Sequence, residues 1–407
     1  MSEENGKTKL TKPSVIGGGT ESAVQSGSSS QSNTQQGTTN TNILITDINA
    51  LKMQHLLQAM VSQGASDLHM VVNSSPAIRV SGEVVRLNLP ILTPEAAQRI
   101  ILQVLTDQQK SELLKRRQVD FSFGVKNLAR FRASVFYAQG NLSAVFRQIP
   151  SVIPEFEKLG LPKVIMEMCK VNNGLILVTG PTGSGKSTTL ASMIDKINRT
   201  EYCHIITLED PIEFVHQHRN SIINQREIGS DAESFQFGLR SMLRQDPDIV
   251  LVGELRDIET IEAALTIAET GHIVFGTLHT NSTVQTINRI INVFPADKQD
   301  QVRSLLSFVL QGIIAQQLVP KIESGRQLVQ EILRPTMGIR NLIRENKIHQ
   351  IYSQMQIGQE ESMMFSMNQS LKNALDKGVI SKENALNYSN NVEEMMKMIN
   401  PVLGSKN

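Results

Sequence analysis

Gly180-Pro181-Thr182-Gly183-Ser184-Gly185-Lys186-Ser187-Thr188 fits the G-x-x-x-x-G-K-[ST] pattern of a phosphate-binding loop. Glycines at 180, 183 and 185 free the backbone to turn its N–H groups inward. There, with the N-terminus of the following helix, they bind phosphate oxygens. Lys186 adds a mobile cation for the β and γ phosphates of a nucleotide, and Ser187 offers a hydroxyl to Mg²⁺. The flanks are the required ones: an apolar strand, Leu175–Thr179, leads in and a helix over Lys186–Asn198 leads out. An ordinary Gly-rich turn would need neither. A dinucleotide site is excluded because G-x-G from Gly183 and Gly185 requires a glycine where Thr188 stands. A guanine-specific N-K-x-D is missing its Asp in the nearest string, Asn346-Lys347-Ile348-His349. ATP with Mg²⁺ is the expected ligand.

Two more apolar strands end in carboxylates, Ile205 to Glu209-Asp210 and Ile249 to Gly253-Glu254. Open α/β sheets place ligands beyond the carboxyl ends of their strands, so these acids can hold a metal through water and orient an attacking water. Spacing does not say which does which, and either alone would pass for a solvated strand end. His272 and His279 bracket a strand over Ile273–Leu278. His279 falls at the ligand end, where it can touch the nucleotide; a lone histidine is more often structural, which suits His272 better. His204, His216, His218 and Cys203 match no metal-ligand spacing.

These residues need a scaffold. Strands over Leu175–Thr179, His204–Leu208, Ile249–Val252 and Ile273–Leu278 alternate with helices over Lys186–Asn198, Ser234–Gln245 and Ile258–Glu269. Unbroken apolar strands between helices read as a parallel sheet covered on both faces, an α/β nucleotide-binding core over residues 164–297. After Asp297 the pattern predicts helices, including Gln299–Gln317, Ile339–Glu345, Met363–Lys377 and Ser381–Asn387, a helical C-terminal region over 298–407. Ahead of the core, a first helix ends at Gly64, and short strands from Leu68 to Arg147 enclose a helix over Pro94–Lys115, an α+β domain over 43–150. Pro154, Gly160 and Pro162 mark a linker over 151–163. Residues 1–42 are Ser, Gly, Thr, Gln and Asn with few large apolar side chains, a composition that predicts a flexible tail.

Composition narrows the partners. Forty Lys and Arg against 39 Asp and Glu give a net charge of +1, with no basic tract and no Trp, so no footprint for nucleic acid. The two cysteines, Cys169 and Cys203, cannot make a four-thiolate zinc site and read as reduced core thiols in a cytosolic protein. No leader and no run of about 18 apolar residues is expected to enter a membrane, so any membrane link must come through partners.

Taken together, Gly180–Thr189, Glu209-Asp-Pro-Ile-Glu-Phe214, Asn224-Gln-Arg-Glu227, Leu243-Arg-Gln-Asp-Pro-Asp248, Gly253-Glu-Leu-Arg-Asp257 and Glu269–Thr280 resemble the motifs of the secretion ATPase superfamily, within it the PilT/PilU family of type IV pilus retraction motors, nearest its PilT branch. Gly64–His69, Arg130-Phe-Arg132 and Gly338–Glu345 extend the likeness over residues 48 to about 390. The resemblance implies a PAS-like N-terminal domain, a RecA-like ATPase domain and a cytoplasmic homohexamer with ATP between the two domains. Its partners would be an inner-membrane pilus platform protein and a paralogous retraction ATPase. It assigns Glu254 to activating water and Glu209 with Asp210 to the metal side. It also makes a His box of His272 and His279, and brings Arg132 and Arg147 toward the γ-phosphate. Gly140 stands where the family has an arginine, so a phosphate contact implied there has no side chain. Gly338 replaces an alanine. His216–Asn220 and Ile314–Pro320 look more like PilU. A pilus assembly or secretion ATPase of the same fold is the alternative, though the four-cysteine zinc module common there cannot form. A partner-dependent accessory ATPase is another.

Overall fold

A computed structural model describes residues 47–150 and 152–400, and the tail expected over 1–42 lies outside them. The N-terminal domain begins with α1 (Met53–Ser62), whose Met53, Leu56, Leu57 and Met60 share one buried face. Strands β1 (Asp67–Met70), β2 (Ala77–Val80) and β3 (Glu83–Arg86) follow, then helices α2 (Pro94–Ile101) and α3 (Asp107–Arg116) and strands β4 (Gln118–Val125), β5 (Ala129–Ala138) and β6 (Asn141–Ile149). The single helix predicted over Pro94–Lys115 is two. Thr106 and Gln109 form a capping box that restarts the helix, and Leu105 is extended. The strands form one antiparallel sheet in the order β3-β2-β1-β6-β5-β4. Alternation along β5 sends Phe131, Ala133 and Val135 into the core with α1 and α2 and leaves Arg130 and Arg132 on the opposite face.

After α4 (Lys163–Met168) the second domain runs β7 (Gly174–Thr179), α5 (Lys186–Thr200), β8 (His204–Glu209), β9 (Ile222–Glu227), α6 (Phe235–Met242), β10 (Ile249–Val252), α7 (Ile258–Glu269), β11 (Ile273–Leu278), α8 (Thr283–Asn292), α9 (Gln299–Val309), β12 (Leu310–Pro320) and β13 (Arg326–Leu333). Every residue of β7, β10 and β11 is buried, as strands covered on both faces require. The sheet order is β13-β12-β7-β11-β10-β8-β9, with only the β12–β13 pair antiparallel. Strand β11 therefore separates the strand of the phosphate loop from the strand that leads to Glu254.

The C-terminal half corrects the sequence reading. The helix predicted over Gln299–Gln317 stops at Val309, and Leu310–Pro320 and Arg326–Leu333 extend the sheet well past Asp297. A short apolar run buried on both faces reads equally as helix or strand, and the glutamines at 311, 316 and 317 mimicked a helix's polar side. Other elements went unpredicted, among them the edge strand β9, whose Ile-Ile-Asn-Gln-Arg-Glu lacks a clean pattern, and α8, capped by Ser282. The helical region begins only at α10 (Met337–Arg344) and continues through α11 (Ile351–Met355), α12 (Gln359–Ser362), α13 (Met367–Asp376), α14 (Lys382–Asn387) and α15 (Val392–Ile399). No helix among the described residues is long and apolar enough to cross a membrane.

Candidate functional site

A cleft of about 650 Å³ lies at the carboxyl ends of the core strands, lined by Thr182, Gly183 and Gly185 to Thr188 of the loop, by Glu209, Asp210, Glu213 and Glu254, and by Arg132 of the N-terminal domain. Gly180, Gly183 and Gly185 all take positive φ, at +143°, +79° and +89°. Gly180 is also fixed by space: a Cβ there would lie 2.2 Å from the carbonyl oxygen of Gln316. Lys186 Nζ donates to the carbonyls of Gly180 and Pro181 at 2.8 and 3.1 Å and lies 3.5 Å from His279 Nδ1. Burial holds the lysine's pKa below its ordinary value, against the pull of Glu254 and Glu213.

Glu254 and Glu209 reach the same end of the sheet because β8 and β10 are neighbours and Gly253 keeps their ends close. A Cβ at Gly253 would meet Glu209 Cα at 3.2 Å. Glu254 pairs with Arg256 Nη2 at 2.7 Å and His279 Nε2 at 3.2 Å. A lysine can only donate, so contact with Lys186 places the imidazole proton on Nε2, from which His279 donates to Glu254. Burial pushes the Glu254 pKa up, but the hydrogen bond and charge of Arg256, aided by His279, bring it below the usual carboxylate range. Glu209 goes the other way. Burial raises its pKa despite donors from Thr207 Oγ1 at 2.6 Å and Gln225 Nε2 at 3.2 Å.

The N-terminal domain meets the core through Glu227, which is buried at 3 % exposure. Arg130 Nη2 donates to it at 3.1 Å, Ser122 Oγ at 2.6 Å and the Ile212 amide at 3.1 Å. Two residues along β5, this contact sets Arg132 at the cleft.

The family model described as Type II/IV secretion system protein matches residues 43–387. The chain belongs to that family. Among its relatives, this secretion-system family member is 49% identical over 335 residues to the Pseudomonas aeruginosa protein named Type IV pilus retractation ATPase PilT, across 82% of this chain and 97% of the relative. It is 38% identical over 357 residues to Type IV pilus ATPase PilU of the same species, across 88% and 93% of the two chains. A crystal structure described as the pilus retraction motor PilT with bound ADP superimposes with a TM-score of 0.81 at 51% identity, covering 85% of this chain and 99% of that one.

Most of the sequence-predicted site residues of this family member converge. Thr182, Gly183, Gly185, Lys186, Ser187, Thr188, Glu209, Asp210, Glu254, His279 and Arg132 share the cleft, with Gly180, Pro181 and the buried Ser184 shaping the loop behind it. Two expected residues stand elsewhere. His272 lies at the opposite end of β11, about 20 Å away at ~3.3 Å per residue, with Nδ1 at 3.1 Å from the Ile267 carbonyl. Arg147, cross-strand from Arg132, pairs with Asp67 at 2.8 Å and is not part of the cleft lining. Gly140 sits in the tight turn between β5 and β6, also outside that lining.

The sequence reading missed Glu213, Arg256, Leu318 and Arg326, which line the cleft as well. Glu213 follows Asp210-Pro211 closely enough to have been suspected; Leu318 and Arg326 arrive on β12 and β13, whose strand character was not seen. Cys169 is buried with its thiol pushed up to about 12, an inert core residue.

Proposed function

We propose that this chain is the ATP-hydrolysing subunit of a homohexameric motor that retracts type IV pilus fibres. The observation that carries the reading is a single cleft holding the phosphate loop, the Glu254 carboxylate and Arg132 from the other domain. Loop amides and Lys186 grip the β and γ phosphates, and Arg132 adds charge at the terminal phosphate from the domain that must move. Glu254, kept ionised by Arg256 and His279, accepts a proton-side hydrogen bond from the attacking water and orients it. Oxygen donors suit Mg²⁺, which is commonly held by one or two carboxylates and the substrate phosphates. Ser187 with Asp210 or Glu209 would hold it, and the ion would supply positive charge to offset that of the phosphates. The contact through Glu227 links the core to the sheet that carries Arg132, so a change at the phosphate can be felt as a change in domain angle. The motor would work in the cytoplasm against an inner-membrane platform protein, alongside a paralogous retraction ATPase.

Phosphate release by the purified protein, and pilus dynamics in cells whose only copy is Lys186→Ala, test this reading. The expectation is loss of turnover by at least ~10²-fold and cells crowded with pili that do not retract. Retraction at the normal rate with the variant expressed normally would refute it. Bald cells would point to assembly instead, and turnover that appears only with a partner ATPase to an accessory subunit.

A further inference from the structure

Gln316 lies on β12 with its side chain fully buried, at 0 % exposure. Its Nε2 donates to the Ser184 carbonyl at 2.8 Å, and its Oε1 accepts from Thr189 Oγ1 at 3.0 Å. The orientation of this amide follows from its partners, since a carbonyl can only accept. The main-chain oxygen of the same residue is the atom that bars a Cβ at Gly180, and Nε2 lies 3.4 Å from where a Cβ of Gly185 would be. One residue thus touches the beginning and end of the loop and the helix behind it.

We propose that Gln316 is a positioning residue that aims the phosphate loop at its ligand, an inference that rests on the reading of residues 180–188 as the triphosphate site. A trans peptide is planar, and its C=O and N–H point in opposite directions. Tying the Ser184 carbonyl back to β12 therefore turns the Gly185 N–H away from β12, into the cleft that Gly185 lines. The peptides on either side have their own backbone bonds, Ser184 N–H to the Pro181 carbonyl at 3.1 Å and Thr189 N–H to the Gly185 carbonyl at 2.9 Å, but the Ser184 carbonyl itself is held by Gln316. A Cβ at Gly183 would meet nothing within 4 Å, and Ser184 Oγ is buried without a hydrogen-bond partner. Three glycines in one loop carry a large ordering entropy, so an unclamped loop would spend part of its time with the amide turned elsewhere. The glutamine supplies that order before the nucleotide arrives, and Thr189, one turn into α5, keeps the glutamine from rotating.

The test compares wild type with Gln316→Glu and Thr189→Val, as full chains, by the kcat and KM of phosphate release and by calorimetric Kd for ADP. Gln316→Glu keeps the size but sets an acceptor against the Ser184 carbonyl. Its KM and its Kd for ADP should both rise about tenfold or more with kcat within about threefold, because the loop holds phosphate before and during reaction alike. Lowering the pH from about 8 to about 6 should bring its KM back down, since a protonated carboxyl can donate where the amide did. Thr189→Val should show a smaller rise in both. A purely architectural glutamine would lower the thermal midpoint while leaving KM and its pH profile alone. Folded Gln316→Glu with KM and Kd within about twofold of wild type at about pH 8, the upper end of that pH range, overturns the proposal. If that variant does not fold, Thr189→Val with unchanged KM and Kd overturns it. Failure of the wild type itself to bind ADP would instead remove the triphosphate reading beneath it.

Discussion

Replacing Arg130 with methionine isolates the contact between the two domains. The Glu227 carboxylate is 5 % exposed and Arg130 33 % exposed, so the substitution leaves a buried charge facing only neutral donors, Ser122 Oγ and the Ile212 amide. Removing one partner of a buried pair costs about 3–5 kcal/mol. Two donors remain, Arg130 is partly solvated, and its Nε is buried without a partner already. The expected loss is therefore ~2–3 kcal/mol, below the full range. Adding Glu227→Gln removes the stranded charge and should recover ~1 kcal/mol or more of it. Urea unfolding at one fixed protein concentration measures both, the concentration held because assembly adds its own stability. Arg130→Met within about 0.5 kcal/mol of wild type, or a double variant no better than the single, would refute the reasoning.

Burial drives the His216 pKa down from its ordinary 6.5 to about 4, and its Nδ1 is buried without a partner. Folding thus favours the neutral ring: the contribution is fully present above the unfolded value and is lost as pH falls toward 4, on the order of 3 kcal/mol in all. His216→Gln should flatten the fall in urea stability between neutral pH and about 4.5; an unchanged slope would place the acid sensitivity elsewhere. Gly338, second residue of α10, has room for a methyl group, whose nearest neighbour would be Gln354 Nε2 at 3.6 Å. Gly338→Ala should stabilise by roughly 0.5–1 kcal/mol in a thermal melt, and destabilisation would show that the helix there needs glycine.

Much of the core was readable from local pattern. Strands β10 and β11 and helix α7 coincide with their expected bounds because their apolar period and caps are strong and short-range: Asp257 and Thr260 form a capping box for α7, and all four residues of β10 are buried. The loop from Gly180 to Thr188 was legible for the same reason, since its chemistry is written in consecutive residues. Reading failed where the decision lay in tertiary surroundings. Nothing in Leu310–Pro320 tells a buried strand from a helix until β7 and β13 lie on either side of it. Position within the fold decided the arginines in the same way. Arg132 and Arg147 are register partners, yet Asp67 captures one and the cleft receives the other, a choice made by β1 and invisible in either arginine's neighbours.

The phosphate loop shows how far such long-range dependence reaches. Its motif names the atoms that touch phosphate, but a motif rich in glycine names a flexible segment, and flexibility opposes tight binding. Rigidity has to come from outside the motif, and here it comes from Gln316, 132 residues beyond Ser184. That glutamine sits on the strand bonded directly to β7, so the tether and the loop share one sheet and cannot drift apart without breaking its ladder. Misreading β12 as a helix therefore concealed more than an element: it hid the side chain that faces the loop. Where a catalytic motif is flexible by composition, the strand next to it is the place to look for the residue that holds it still.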